Sequence, residues 1–281
     1  MKKFIFSDNG TLIDRSVEVE DYHSGSIVMD YTTSTDAVYV GSELPFNSLF
    51  FDVASANAVS AAPTISYWDG SQWRTMVEVL DETSLGGVSL AQSGHVTWVT
   101  DKNYGWLNED TVNSNGTERI TGLGNATVYD LFWLKITFDA TLTNTTEINF
   151  IGPKFCEDAD VTGEHTMLSV SAFKSNYESG KTNWEREIIL ASRLLVEDLI
   201  DKAAIISGDQ LLQRRKLRDA CVSKVAELVY SNLGDDYQND AQKARAEYSK
   251  RLNKKNYGAD KNSNARLDKR EMGVMTGGLY R

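Results

Sequence analysis

The residue types whose spacing most resembles a chemical site lie near the C-terminus, in the run DKNSNARLDKRE from Asp260 to Glu271. Numbered from Asp260, oxygen-bearing side chains fall at places 1, 3, 5, 9 and 12, and the branched apolar Leu267 takes place 8. That is the ligand spacing of an EF-hand calcium loop, in which a short turn wraps oxygen ligands around a hard cation. Ala265 departs from it at place 6, where glycine normally permits the sharp turn, and the neutral Asn262 and Asn264 lower the ligand charge. The loop is also single, whereas calcium sensors work as paired loops, and MGVMTGG after Glu271 is a poor exiting helix. Two readings stay open. One is a weak structural cation site, calcium by its spacing, with Asp260, Asn262, Asn264, Asp268 and Glu271 as ligands; the other is a loop whose Asn and Asp serve Asx turns.

Other chemistry is sparse. His23, His95 and His165 stand far apart, with no HxH or HExxH spacing for zinc, and no GxSxG, P-loop or dinucleotide fingerprint occurs. No catalytic residue is therefore assigned, and the expectation is a protein that is not an enzyme and has no cofactor beyond a weakly bound calcium. Tyr67, Trp68, Trp73, Trp98, Trp106 and Trp133 crowd the first half of the chain, where large aromatics usually fill a core. Alternation puts Tyr67 and Trp68 on opposite faces, which leaves one of them to the surface, and Trp106 beside Gly105 suits a loop. Trp68 and Trp106 are thus the candidate platform for a sugar. The basic runs QRRKLR (Arg214, Arg215, Lys216, Arg218) and KRLNKKNY (Lys250, Arg251, Lys254, Lys255) read as solvated helix faces or as phosphate contacts.

The bulk composition sets the frame for these residues. At 281 residues the chain is long enough for two domains, each with its own core. No apolar run approaches the roughly 18 residues that cross a bilayer, and the start of the chain has no signal-peptide pattern, so neither membrane anchor nor secretory route is expected. Asn115, Asn125 and Asn144 each begin an N-x-Thr triplet, read as strand and turn chemistry rather than glycosylation. Cys156 and Cys221, with no CxxC spacing, fit buried unpaired thiols in a reducing cytoplasm. Residues 1–165 hold 24 acidic and 8 basic residues against 16 and 21 in the remainder, a split of -16 and +5 that suits head-to-tail stacking of copies as well as plain solubility.

Two grammars divide the chain. Before residue 160 lie all three prolines and the short alternating runs DAVYVGS, SLFFDVA, TISYWDG, HVTWVTD, LFWLKITFD and EINFIGP, which predict strands of an antiparallel β-sandwich or jelly roll over 1–160. Asp69-Gly70 between Tyr67 and Trp73 predicts a hairpin with a primed turn. EDADVTGEHT is polar and contains glycine, so 161–181 is expected to be a linker. From Thr182, with a capping box to Glu185, Trp184, Ile188, Ala191, Leu195 and Leu199 share a helical face. Leu217, Cys221, Val225 and Leu228 mark a second helix closing at Gly234; Tyr237, Ala241, Ala244, Tyr248 and Leu252 mark a third, capped by Asp235 or Asp236. These predict a small helical bundle over 182–257, an α+β chain overall, followed by an extended tail over 258–281. In that tail Met272, Val274, Met275, Leu279 and Tyr280, with the terminal Arg281, are too few and too broken by Gly273, Gly277 and Gly278 to fold alone, and are expected to dock on a partner.

VYVGSELPFNSLFFDV, ISYWDGSQW and LFWLKITF resemble a β-sandwich found in structural proteins of tailed bacteriophages. The helical half followed by an Asp/Asn-rich tail ending in GGLYR looks like the head-to-tail connector (adaptor or neck) proteins that ring the base of the portal. The resemblance implies a virion neck protein, present in the host cytoplasm during assembly. It further implies a homo-oligomeric ring of twelve copies, portal and tail or neck proteins as neighbours, and DNA passing through the lumen without sequence-specific contacts. The bundle would form the ring and the sandwich decorate it. The rival expectation is a sugar-binding virion decoration or receptor-binding protein that works through its tryptophans.

Overall fold

The computed structural model describes residues 2–20, 22, 25–29, 31–99, 105–253 and 257–266. The chain divides into two compact units, Met1–Gly152 with Asn262–Arg266, and Pro153–Lys261 with Leu267–Arg281. The first unit carries β1 (Lys3–Asp8), β2 (Thr11–Asp14), α1 (Ser16–Glu20), β3 (Ile27–Val28), β4 (Ala37–Ser42), β5 (Ser48–Ser55) and β6 (Pro63–Trp68). It continues with β7 (Trp73–Thr75), β8 (Glu78–Asp81), β9 (Gly94–Val99), β10 (Asn108–Glu109), β11 (Leu131–Phe138) and β12 (Glu147–Gly152). The second unit carries α2 (Asp158–Glu164), α3 (Ser171–Tyr177), α4 (Glu185–Asp201), α5 (Arg218–Asn232) and α6 (Gln238–Asn253). The protein is thus mixed α and β, with both sheets antiparallel.

One sheet has seven strands, in the order β2-β1-β4-β11-β6-β7 with β10 beside the start of β11; the other runs β3-β12-β5-β9-β8. Each of the six alternating runs picked out in the sequence forms a strand. Apolar residues of both sheets join one core cluster, including Phe4, Val40, Ile65 and Leu134 from the larger sheet and Phe51, Trp98 and Ile148 from the smaller. Simple alternation fails on the larger sheet, because its other face is covered too. There Ile5, Tyr39, Trp68 and Trp133 pack with Ile120 and Leu123 from the long β10–β11 connection. Every residue of β4 is consequently buried.

Asn9 and Gly10, at φ 49° and 81°, make the β1–β2 turn and bring Asp8 opposite Thr11. Both central residues at positive φ match a primed hairpin turn, for which Asn-Gly is a strong sequence signal. The hairpin predicted at Asp69-Gly70 exists, but Trp68 pairs with Trp73 across four loop residues and only Gly70 has positive φ, so the primed two-residue turn is corrected. The Asp69 carboxylate organises that loop, accepting from the N–H groups of Ser71 at 2.9 Å and Gln72 at 2.8 Å and from Arg74 Nε at 2.6 Å. Burial alone raises the Asp69 carboxyl; the bonds from Arg74, Gln72 and Ser71 outweigh it and hold the group well below the usual carboxylate range.

In the second unit, Trp184, Ile188, Ala191, Leu195 and Leu199 are all fully buried, as their spacing requires. α5 packs against both α4 and α6 and is buried on several sides, which is why its stripe ran past the predicted one to Val222, Ala226 and Val229. Gly234, at φ 95° and ψ -168°, stands just past the C-cap Leu233, so the helix closes where the glycine was expected to close it, in an extended positive-φ conformation that favours glycine rather than a left-handed helical turn. Three expectations change. Thr182 does not cap α4: Trp184 is the N-cap, Asn183 Oδ1 accepts the Glu185 N–H at 3.2 Å, and Asp158 accepts the Trp184 N–H at 2.7 Å. The stretch expected as a linker forms α2 and α3 and buries Val161, Leu168 and Phe173; its acids serve the α2 N-terminus, where Glu157 N–H donates to Asp160 at 2.9 Å. Tyr257–Arg266 is built into the units rather than extended, with Tyr257 and Ala259 in the second core and Ala265 in the first.

The observed boundaries also redraw the charge. The first unit carries -12 and the second +1, because the acids around α2 belong with the helices. A basic half does not exist, and the asymmetry is that of one strongly acidic unit. Cys156 and Cys221 are free and buried as expected, yet not isolated. A hydrogen bond with Cys221, then burial, pushes the Cys156 thiol far up, so Cys156 stays protonated.

Candidate functional site

A polar cleft of about 640 Å³ opens on the outer face of the seven-stranded sheet, within the first unit. Its floor is Ser7 of β1 and Tyr39 of β4. The β1–β2 turn supplies Asn9, Gly10 and Leu12 on one side, with Thr35 beside them, and the β10–β11 connection supplies Gly116, Glu118, Gly122, Gly124 and Asn125 on the other.

Two carboxylates, the buried Asp36 and the exposed Glu118, fix these walls. Asp36, 1% exposed, accepts the Asn9 N–H at 2.9 Å and those of Thr32 and Thr33 at 2.8 Å each, tying the β1–β2 turn to the turn that carries Thr35. Burial raises the Asp36 carboxyl, but the bonds from Asn9, Thr33 and Thr32 prevail and lower it. Glu118 Oε1 accepts from Gly122 N at 2.7 Å and Gly124 N at 3.0 Å, closing the opposite wall on itself. Thr111, fully buried, anchors the same connection through its N–H to Val128 O at 2.9 Å, and Trp73 Nε1 donates to Thr121 O at 2.8 Å. Gly122 has φ 94° and a Cβ there would run into the Tyr39 hydroxyl, so glycine is required. Burial, with the Glu118 carboxylate beyond it, pushes the Tyr39 phenol up to about 12, and the hydroxyl remains a donor at neutral pH.

Nothing in the sequence points to this cleft. Its walls come from four stretches that carry no motif; the one local signal was Asn9-Gly10, which marks the hairpin and not the site.

The residues singled out in the sequence fall elsewhere. Trp68 is 2% exposed and Trp106 7%, with Trp106 Nε1 donating to Trp133 O at 3.0 Å. Tyr67 and Trp68 do face opposite sides of the sheet, but both sides are covered, so the expectation of an exposed ring is corrected and neither tryptophan offers a face to a sugar. In the EF-like run, Asp260 is buried, its N–H donating to Gln210 O at 2.9 Å and its carbonyl accepting from Gln210 Nε2 at 2.7 Å. Asn264 Oδ1 accepts the Arg266 N–H at 2.8 Å, an Asx turn, and Ser263 and Ala265 take φ 56° and 57°. Ala265 therefore adopts the left-handed conformation that place 6 demands, without the glycine. Asp268 and Glu271 lie outside the described residues, as do Met272, Val274, Met275, Leu279, Tyr280 and Arg281. Among the described residues no group of three or more His, Cys, Asp or Glu side chains is arranged to hold a metal.

Of the basic runs, Arg218 pairs with Asp160 and Asp219, Lys250 with Glu247, and Arg251 with Glu164 at 2.5 Å, all acids of their own unit, while Lys254 and Lys255 lie outside the described residues. His95 sits 3.6 Å from Glu82, and His165 packs edge-on to Tyr230, its pKa lowered by burial; His23 is outside the described residues. No described helix is long and apolar enough to cross a membrane. No protein-family model matches the chain, and no curated protein matches it.

Proposed function

We propose that the chain is a structural, non-enzymatic protein of a tailed-phage virion, a head-to-tail connector or adaptor whose copies ring the passage between portal and tail. On this reading the first unit is a β-sandwich displayed on the ring and the helical unit forms the ring wall, around DNA that is held without sequence-specific contacts. The residues after Arg266 dock on the portal or a neighbouring subunit.

The observation that carries the reading is an apolar sheet edge left to solvent. β8 is the last strand of the five-stranded sheet, and Val77, Val79 and Leu80 are exposed along it, with Val99 exposed opposite Glu78. An edge strand with unpaired backbone groups and apolar side chains is an aggregation hazard in a monomer and an adhesive in an assembly. The resemblance in sequence supplies the kind of assembly. Negative-stain images of the full chain, alone and with the portal of the particle that encodes it, test the proposal. Rings of about twelve copies that seat on the portal agree with it; a chain that stays monomeric and never associates with a portal overturns it.

A further inference from the structure

We propose that the cleft between the β1–β2 turn and the β10–β11 connection is a binding site for a neutral saccharide. The volume lies within the range of ligand pockets, about 300–1,000 Å³, but the lining is unlike that of most, which are largely apolar. It carries hydroxyls from Ser7, Thr35 and Tyr39, amides from Asn9 and Asn125, and the Glu118 carboxylate. Groups that both donate and accept, set at short intervals, match a ligand whose own hydroxyls do both.

Charge narrows the class further. Among the described residues no lysine or arginine lines the cleft, the Lys135 ammonium standing over the Tyr39 ring at 5.8 Å from its centroid, and the cleft sits in a unit of net charge -12, so a phosphate, sulfate or carboxylate would meet Glu118 with no lining cation to offset it. An apolar ligand would strip water from the amides and hydroxyls without replacing their hydrogen bonds. A nucleobase would look for a stacking ring, and Tyr39, the aromatic residue of the described lining, is 3% exposed.

The site is also preformed. Glu118 spends two of its roughly four acceptor positions on Gly122 and Gly124, which fixes the carboxylate while leaving acceptor capacity for sugar hydroxyls. Asp36 fixes the other wall from behind. Open space at Gly10 and Gly116 leaves room for a ring, and Leu12 provides an apolar surface for its C–H face. A site organised in this way loses little entropy on binding, which is what a weak, hydroxyl-rich ligand needs. It is independent of Trp68 and Trp106, and a virion component carrying it would touch a cell-surface or capsular polysaccharide without any catalytic step.

The test is titration of the isotope-labelled full chain with maltotriose and with chitotriose, followed by amide chemical shifts, with glucose 1-phosphate as the anionic control. Saturable shifts confined to residues 7–12, 35–39 and 116–125 with one of the two neutral sugars, at a Kd of about 1 mM as expected for a single open cleft, together with a response at least ten-fold weaker to the phosphate, support the proposal. Glu118→Gln keeps an acceptor for Gly122 and Gly124 and should weaken binding several-fold, and Thr35→Trp, from an exposed rim, should abolish it with an unchanged thermal transition. Absence of saturable shifts with both neutral sugars, shifts located elsewhere, or equal binding by the Thr35→Trp protein overturns it. None of these outcomes bears on whether the chain forms a ring.

Discussion

Lys154 is the residue whose replacement tests most sharply how the helical unit is held. It is 2% exposed, and its ammonium lies 2.5 Å from Glu157 and 2.7 Å from Glu185, joining the chain just after Pro153 to the starts of α2 and α4. Burial alone would lower its pKa, but Glu185 and then Glu157 outweigh that and raise it. Lys154→Met keeps the aliphatic stem and removes the charge. Breaking a buried pair costs about 3–5 kcal/mol because the partner is left desolvated. Here the Glu157 side chain is 55% exposed and rehydrates, while Glu185 at 15% cannot, so the lower end applies, about 3 kcal/mol. For a unit of this size that is a fall of roughly 10 °C in its melting temperature. Hydrogen exchange read by peptide is the assay, because it separates the two units: protection should drop in α4, α5 and α6 and stay in β4 and β11. Adding Glu185→Leu should restore most of the loss, since a buried pair replaced by apolar groups is close to neutral. The pH dependence has a definite sign. A raised lysine pKa contributes stability that is fully present below the unfolded value, about 10.4, and is lost as pH rises through the folded one, so the wild-type advantage over Lys154→Met should shrink above that pH. A single Lys154→Met change that leaves exchange in α4 and α5 within about 0.5 kcal/mol of wild type, the range of ordinary surface substitutions, would refute the reasoning.

Asp36 gives the opposite slope. Its lowered pKa contributes stability present above about 3.9 and lost as pH falls through the folded value, so acid melts of the first unit should show a step that Asp36→Asn, already destabilised at neutral pH, lacks. Gly94→Ala should destabilise the same unit by about 2 kcal/mol or more, because the added Cβ would sit 2.5 Å from the Glu82 carbonyl oxygen; urea denaturation measures it, and wild-type stability would show that the β9 backbone yields. Deleting residues 272–281 should leave the thermal transition unchanged and prevent incorporation into particles, as scored by gel analysis of purified virions. If a chelator reproduces the assembly defect of Asp260→Ala or Glu271→Ala variants, the EF-like run holds a cation; indifference to chelation assigns the defect to the turn.

What the sequence made legible was whatever repeats within a few residues. β4, β5, β6, β9, β11 and β12 stand where alternation put them, and the α4 and α6 faces follow the 3.6-residue period residue by residue. What it concealed depends on contacts between distant stretches. The β10–β11 connection has no period, and nothing in Ile120 or Leu123 announces that they cover Trp68 and Trp133. The proximity of Cys156 and Cys221, 65 positions apart, is a property of packing α5 against the chain before α2. The cleft was hidden for the same reason, since Asn9, Thr35, Glu118 and Asn125 become neighbours only once β1 and β4 pair. α2 and α3 were missed for a different reason: polar composition describes the exposed side of a short helix as well as it describes a linker.

The five residues Asn262–Arg266 return the chain to the unit that holds β1 to β12. The stretch Pro153–Lys261, which carries α2 to α6, is therefore inserted between β12 and Ala265 of the first core. A ribosome that has released β12 has made every strand but not the whole unit. The first unit stays one piece short until some hundred further residues have emerged, while α2 to α6 all lie within that intervening stretch and can pack as they are made. Asn262–Arg266 then adds Ala265 to a core whose strands were all made about a hundred residues earlier, so the strand-built unit is completed only after the helices have been made.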